Sequence, residues 1–437
     1  MIDVVKKLTA EIVFLGIAFL CIWPESVLSQ QIIDARGTGM AFSNASDTRG
    51  LEQVGLNPAT LALRNSFRFE FNIISANASI RNNSFNKHQY DKYFTTGRFL
   101  NESDKNDILN SIPDGGIRGD ISARANSLGF YMPFFSLSVV GLGGGFVKLP
   151  EDLPDLIFNG NSEQGKEYKI GDVKGNGWGG VGILVSGAYP VFKGDKYWWN
   201  NVSVGATFKY IIGLGVFEIL NSDGKFVNFD QSQDRYYATI DQKLEARIAE
   251  GGKGIGFDFG VITKFQEKWT FGITFLNAIG SVKWSSNTKK QLLSVIADSL
   301  AISDTFVETP DSVIVDTDTS YAIGDFSTSL PKVLDLSAAY QWLPFLMVTA
   351  EYEQGLSESM AGSKHPRFAL GAEYTQLPVL PLRTGISLGG RFGTSIAFGF
   401  GVNVKNWILD IAYIGYGGIF PGSLKGMTLA ATTRLRF

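Results

Sequence analysis

Two histidines, His88 and His365, and one cysteine, Cys21, are the whole stock of imidazole and thiol chemistry in 437 residues. A histidine-dependent hydrolase needs a nucleophile within reach of its base. Neither His88 nor His365, the latter in the turn Lys364-His365-Pro366, has a candidate nucleophile nearby in sequence, so the chain does not read as an enzyme. Asp311, Asp316, Asp318 and Asp325 fall in one long connection and Asp152 and Asp155 in another. The order of a calcium loop, with its glycine and closing glutamate, is absent, so these read as solvated acidic loops, and no metal or cofactor is expected. The glycine runs 141–145 and Gly177-Trp178-Gly179-Gly180 do not lead into a helix as a phosphate loop would, and fit close packing or kinks in strands. A net charge of −3 gives no reason to expect nucleic acid as a partner.

The informative charges are those that alternate with apolar residues. Lys209, Asp258, Lys264, Asp335, Glu351, Glu353, Glu373, Arg383, Arg391, Asp410, Arg434 and Arg436 are each set among such alternation. Because side chains in a strand have a period of two, one face of each segment is charged or small and the other apolar. Mixed charges on an inward face can pair and close a narrow lumen, or line a watery path through it.

Strands must therefore position them. The last segment shows the pattern: Met427, Leu429, Ala431, Leu435 and Phe437 point one way, and Thr428, Thr432, Arg434 and Arg436 the other. Similar faces occur in Phe67–Ile73, in Val202–Ile212, in Trp269–Phe275 and in the segments about Leu334–Tyr340, Leu346–Tyr352, Phe368–Tyr374, Leu382–Leu388, Ile396–Val402 and Trp407–Tyr413. About ten such residues, tilted, cross a bilayer. After residue 29 no apolar run is long enough for a spanning helix, and lipid tolerates strands only when they close on themselves.

Lys6 and Lys7, an uncharged apolar run from Ile12 to Trp23, and Val27-Leu28-Ser29 before Gln30 form the layout of a secretory signal peptide. Cleavage near Ser29 removes Cys21, so disulfides and thiolate sites are excluded from the mature chain.

Outer-membrane barrels alternate short periplasmic turns with longer outer loops. Counting back from Phe437, short turns fall at 404–406, 377–380, 343–345, 266–268, 190–197 and 132–134, and every long connection falls on the other side. Tyr236–Ile248 also alternates, but counting it as a span would reverse all later strands. It is expected to form a hairpin above the membrane with Val216–Phe229, although Gln242–Glu250 could be helical. The count is then about 14. Helices are expected in the loops after Asn101, within Pro150–Phe158, and over Thr288–Leu300 through Leu292, Leu293 and Ile296.

Residues 30–66 do not alternate. Their Asn57-Pro58-Ala59 triplet, followed by Leu61 just before the first strand, resembles the N-terminal plug region of FadL-type fatty-acid channels and their Bacteroidota-type relatives, some of which act as secretion-shuttle barrels. The terminal strand, ending in Phe437, is similar to the segment that the barrel-assembly machinery reads as its signal. The resemblance implies an all-β transmembrane antiparallel barrel in the outer membrane of a Gram-negative cell. The expected order is a signal peptide over 1–29, a luminal plug over 30–66, and a barrel over 67–437 with large extracellular loops at 80–116, 148–176, 214–254 and 285–331. It further implies uptake of a small hydrophobic molecule past Asn57, Pro58 and Ala59. The alternation places Asp335, Glu351, Glu373, Arg383, Arg391, Asp410, Arg434 and Arg436 on the lumen face, a charged lining that supplies no apolar route and favours a lumen that stays shut. The other reading left open is a shut barrel that docks secreted or surface proteins. In either case outer-membrane lipid surrounds it.

Overall fold

Alternating side chains are satisfied on both faces when a sheet curls round and acquires a lining and an outside, and the chain folds this way. The computed structural model describes residues 34–160, 165–192, 201–231, 235–302, 314–358, 360 and 362–437. The expected signal peptide and Asp311 lie outside these residues.

The first half of the ring is built from β1 (Glu70–Asn82), β2 (Ile117–Met132), β3 (Phe135–Leu149), β5 (Lys174–Pro190), β6 (Val202–Gln231), β8 (Gly251–Phe265) and β9 (Trp269–Ser286). The second half comprises β13 (Val333–Leu343), β14 (Leu346–Gly355), β15 (Arg367–Tyr374), β16 (Leu382–Gly389), β17 (Ser395–Val404), β18 (Trp407–Tyr416) and β19 (Gly426–Arg436). Each pairs antiparallel with the next, and β19 pairs with β1 from Glu70↔Arg436 to Arg81↔Gly426, closing a 14-stranded barrel. A closed ring leaves no unpaired edge.

Outward positions carry Phe71, Phe208, Phe259, Phe271, Phe368, Phe398 and Leu429, all exposed, which suits a hydrocarbon surround. Among the described residues no helix is long and apolar enough to cross a membrane.

One rim carries the short turns, such as residues 133–134, 344–345 and 405–406, together with Phe437. Phe437 sits edge-on to Phe71 at 6.2 Å, and its amide donates to the Phe69 carbonyl at 2.8 Å. The other rim carries the long connections. There β6 runs on past the barrel and pairs with β7 (Arg235–Ala249) from Val216↔Ala249 to Gln231↔Arg235. This is the expected hairpin, and its second arm is strand throughout.

The expected helix at Thr288–Leu300 is instead β10 (Lys289–Ile302). Leu292, Leu293 and Ile296 suit either period, and tertiary pairing decides. The segment is hydrogen-bonded on one side to β7 and on the other to β11 (Ile314–Ala322). With β4 (Glu167–Lys169) on the far side of β6, these strands make a sheet that stands above part of the mouth. β12 (Phe326–Ser329) pairs with the distal part of β9. Helices Glu102–Asn110, capped by Asn101, and Asp152–Asn159 occupy the loops as the sequence suggests. The loop carboxylates are used locally: Asp155 pairs with Lys166 at 2.9 Å and Asp325 with Lys283 at 2.9 Å.

Candidate functional site

Residues 34–62 enter the lumen from the rim of short turns and are almost wholly buried. Asp34 caps a short helix, Ala35–Gly39, by accepting from the Arg36 and Gly37 amides at 2.9 and 3.4 Å. The chain then reverses through Ala41 and Phe42, both left-handed at φ 52° and 60°. Such a conformation is costly without glycine; Arg367 on β15 steadies it by donating to the Ala41 and Phe42 carbonyls at 2.8 and 3.1 Å. Further along, Asn57 caps the 3-10 turn Pro58–Ala62: its Oδ1 accepts the Ala59 amide at 3.0 Å, and Pro58 takes the first position, where no amide is needed. Asn57 Nδ2 donates to the Val261 carbonyl of β8 at 3.0 Å.

The wall accommodates this segment through inward glycines. A Cβ on Gly260 would lie 2.0 Å from Asn57 Oδ1, and one on Gly385 would lie 2.5 Å from the Met40 carbonyl carbon. Glycine is what lets two backbones approach this closely.

Most of the expected luminal charges meet this segment. Glu373 accepts from Arg36 at 2.8 Å, from Arg49 at 2.9 Å and from Arg383 at 2.9 Å, and Arg383 also holds Asp410 at 2.5 Å. Arg36 bonds Asp47 and, at 3.0 Å, Glu52. Arg434 reaches Asp34, and Arg436 bridges Glu52 at 2.9 Å and Glu70 at 2.7 Å. Arg36, Glu52, Glu70, Glu373 and Arg434 are each 2% exposed or less. Burial pushes Glu52 up, but Arg36, followed by Arg436, Arg434 and Arg49, outweighs it and holds that carboxyl at about 2. Asp335 and Glu351 lie apart from this network. Glu351 accepts from Arg367 at 3.0 Å and from the Ala45 amide at 3.2 Å. Lys209 and Asp258 pair at 2.8 Å elsewhere on the wall, and Lys264 sits at the rim with Glu267.

Arg36, Arg49, Glu52 and Arg367 escape sequence reasoning, whereas Glu70 stands on the polar face of the Phe67–Ile73 segment. The first three lie in a segment with no periodicity, and their partners on the barrel wall, Glu373 and Arg436, are more than 300 residues away in the chain.

Above the segment, toward the long connections, the lumen has two unlike sides. Trp178, Ile211, Val282, Trp284, Leu330 and Met360 form an apolar cluster against β5, β6 and β9. Opposite lies a polar cavity of about 80 Å³, floored by Phe42 and Arg367 and lined by Arg81, Arg124, Arg391, Asp120, Glu353 and several hydroxyls. Arg391, expected on a strand, occupies the turn after β16 and reaches Asp120 at 3.6 Å; burial, followed by Arg118, pushes it down to about 10. Arg118 holds Asp120 at 2.8 Å and lies 3.5 Å from the centre of the Phe146 ring. His365 is at the mouth of this cavity and His88 is exposed in a loop helix. Among the described residues no group of three His, Cys, Asp or Glu is placed to hold a metal ion.

The barrel matches solved structures along nearly its whole length. A FadL homologue from Pseudomonas aeruginosa superposes with a TM-score of 0.52 at 12% identity, covering 94% of this chain and 100% of that one. A ΔS2S3 mutant of the TodX monoaromatic hydrocarbon channel gives 0.51 at 10% identity, with 92% and 99% covered. The CymD monoaromatic hydrocarbon channel gives 0.50 at 13%, with 93% and 99% covered. The fold is therefore the FadL-type outer-membrane barrel. No curated protein matches the sequence. The sequence itself matches a family model over residues 58–409, and the chain belongs to that family, DUF5723, a family of unknown function.

Proposed function

We propose that the protein is an outer-membrane channel for small hydrophobic compounds, with residues 34–62 as its plug and the long connections facing outward. The observation that carries this reading is how the lumen is sealed. The plug is held by side-chain ion pairs and by glycine contacts with the wall, and it adds no strand to the barrel, so it can shift without breaking the ring. The apolar cluster around Trp178 and Trp284 offers a hydrophobic solute a surface just above the plug. The shared fold with hydrocarbon channels supports the same reading. Asn57, Pro58 and Ala59 then form the part of the plug whose movement opens the way beside β6 and β8.

A second reading, a shut barrel that docks secreted or surface proteins, is favoured by the sheet of β6, β7, β10 and β11 raised above the mouth. Liposomes carrying the purified protein, or a form lacking residues 30–66, separate the two readings when loaded with a small aromatic hydrocarbon. Faster uptake than in protein-free liposomes, increased further by the deletion, is expected. Uptake equal to protein-free liposomes in both cases, with a stable protein partner co-purifying, would replace the channel with the docking barrel.

A further inference from the structure

The cavity above the plug does not fit a purely hydrophobic ligand. Its lining brings four arginines, Arg81, Arg124, Arg367 and Arg391, against two carboxylates, Asp120 and Glu353. Both carboxylates are engaged: Asp120 by Arg118 at 2.8 Å and Arg391 at 3.6 Å, and Glu353 by Arg367 at 3.4 Å. The lining therefore carries a surplus of two positive charges in a half-enclosed space. Arg81 lies directly across the strand pair from Asp120, and its guanidinium stacks over Phe392 at 4.4 Å and Tyr416 at 5.3 Å. Its Nε is buried with no hydrogen-bond partner among the described residues.

The cations come from different directions: Arg81 from β1, Arg124 from β2, and Arg391 from the turn after β16. A planar carboxylate is satisfied by one guanidinium fork, whereas donors converging from several sides suit an acceptor with oxygens all round. Hydroxyls complete the wall. Tyr416, Thr428 and Ser79 form a chain of contacts at 3.1 and 2.8 Å, Ser387 and Ser395 meet at 2.7 Å, and Ser122 is adjacent. A volume of about 80 Å³ holds several waters, or one small anion in their place.

We propose that this cavity binds a doubly charged tetrahedral oxyanion of the phosphate class, with Arg81, Arg124 and Arg391 as its main donors. The charge of the ligand matches the surplus of the lining, and the site does not require the lumen to conduct. Its floor is the Phe42 turn of the plug, so the bound anion rests against the element that seals the barrel.

The test is calorimetric titration of the full chain in detergent with inorganic phosphate, with phenyl phosphate and with benzoate. Saturable binding of phosphate or phenyl phosphate is expected, with benzoate at least tenfold weaker. Equal affinity for the two phosphates indicates the free ion, and tighter binding of phenyl phosphate indicates the head of a larger molecule; either supports the site. The R81Q/R124Q double variant should lose at least tenfold in affinity, while Lys264→Gln at the far rim should not change it. In a His365→Gln variant, which removes the imidazole lining the cavity, the affinity for phenyl phosphate should rise between pH 5 and pH 8 as the ligand's second proton, with a pKa of about 6, is lost. Absence of saturable binding, benzoate binding as tightly as phosphate, a flat pH profile in the His365→Gln variant, or parental affinity in a folded double variant would each overturn the proposal.

Discussion

The lumen contains two arginine clusters that use the same side chain in opposite ways. Below, Arg36, Arg49, Arg383, Arg434 and Arg436 meet Asp34, Asp47, Glu52, Glu70, Glu373 and Asp410 at direct bonding distance. Above, Arg81, Arg124, Arg367 and Arg391 outnumber the carboxylates of their cavity. A buried arginine surrounded by carboxylates fixes two pieces of chain together. A buried arginine in a group short of carboxylates is an attraction for an anion from outside. The lower cluster is a fastening, and the upper one is a receptor.

The largest expected effect on this contrast comes from Glu373, which three arginines share. Glu373→Gln leaves buried cations short of their counter-charge, a loss of about 3–5 kcal/mol, and should release residues 34–62 to proteolysis while the barrel stays folded. Protection equal to the parent would show that the lower charges do not hold the segment.

Acid should act on the same cluster with a smaller effect. Glu52 moves from an ordinary 4.5 to about 2 on folding. Its contribution is therefore fully present above about pH 4.5 and is lost as the pH falls towards 2, a change on the order of 3 kcal/mol. Protection of the segment against hydrogen exchange, taken relative to the free-amide rate at each pH, should hold from pH 7 to pH 5 and fall below pH 4. Loss of protection between pH 7 and pH 5 would point to a different group.

Asn57→Ala gives the smallest change. It removes the cap of Pro58–Ala62 and the bond to Val261, about 1–2 kcal/mol, so local exchange at residues 57–62 should rise while Arg36 and its partners stay protected. Loss of protection throughout 34–62 would mean that the two ends of the segment are one cooperative unit.

Much of the barrel is legible because period two is a local signal. The run from Leu334 to Trp407 declares its strands residue by residue. The hairpin of β6 and β7 follows from the directional count. Arg81 and Arg124 are hidden for a physical reason: the irregularity between Asn72 and Ile74 shifts the phase of β1, and a second between Asn126 and Leu128 breaks β2, where Ala123 and Ala125 blur the outer face. A reading in a single phase therefore ends β1 before Arg81. The lower cluster is half legible: Glu373, Arg383, Asp410, Arg434 and Arg436 stand on clear strands, but nothing near them in sequence names Arg36 or Glu52. The helix expected at Thr288–Leu300 shows the converse, a local spacing overruled by hydrogen bonds on both edges of β10.

The pairings of the terminal strand also impose an order of events. Arg434 and Asp34 are 400 residues apart in the chain, and Arg436 and Glu70 are 366 apart. Contacts between such distant residues form late, and these two need β19 already seated beside β1. A barrel that has not received its last strand has no Arg434 or Arg436 with which to fasten its interior. The seal is thereby a record of completed closure, written in side chains hundreds of residues apart.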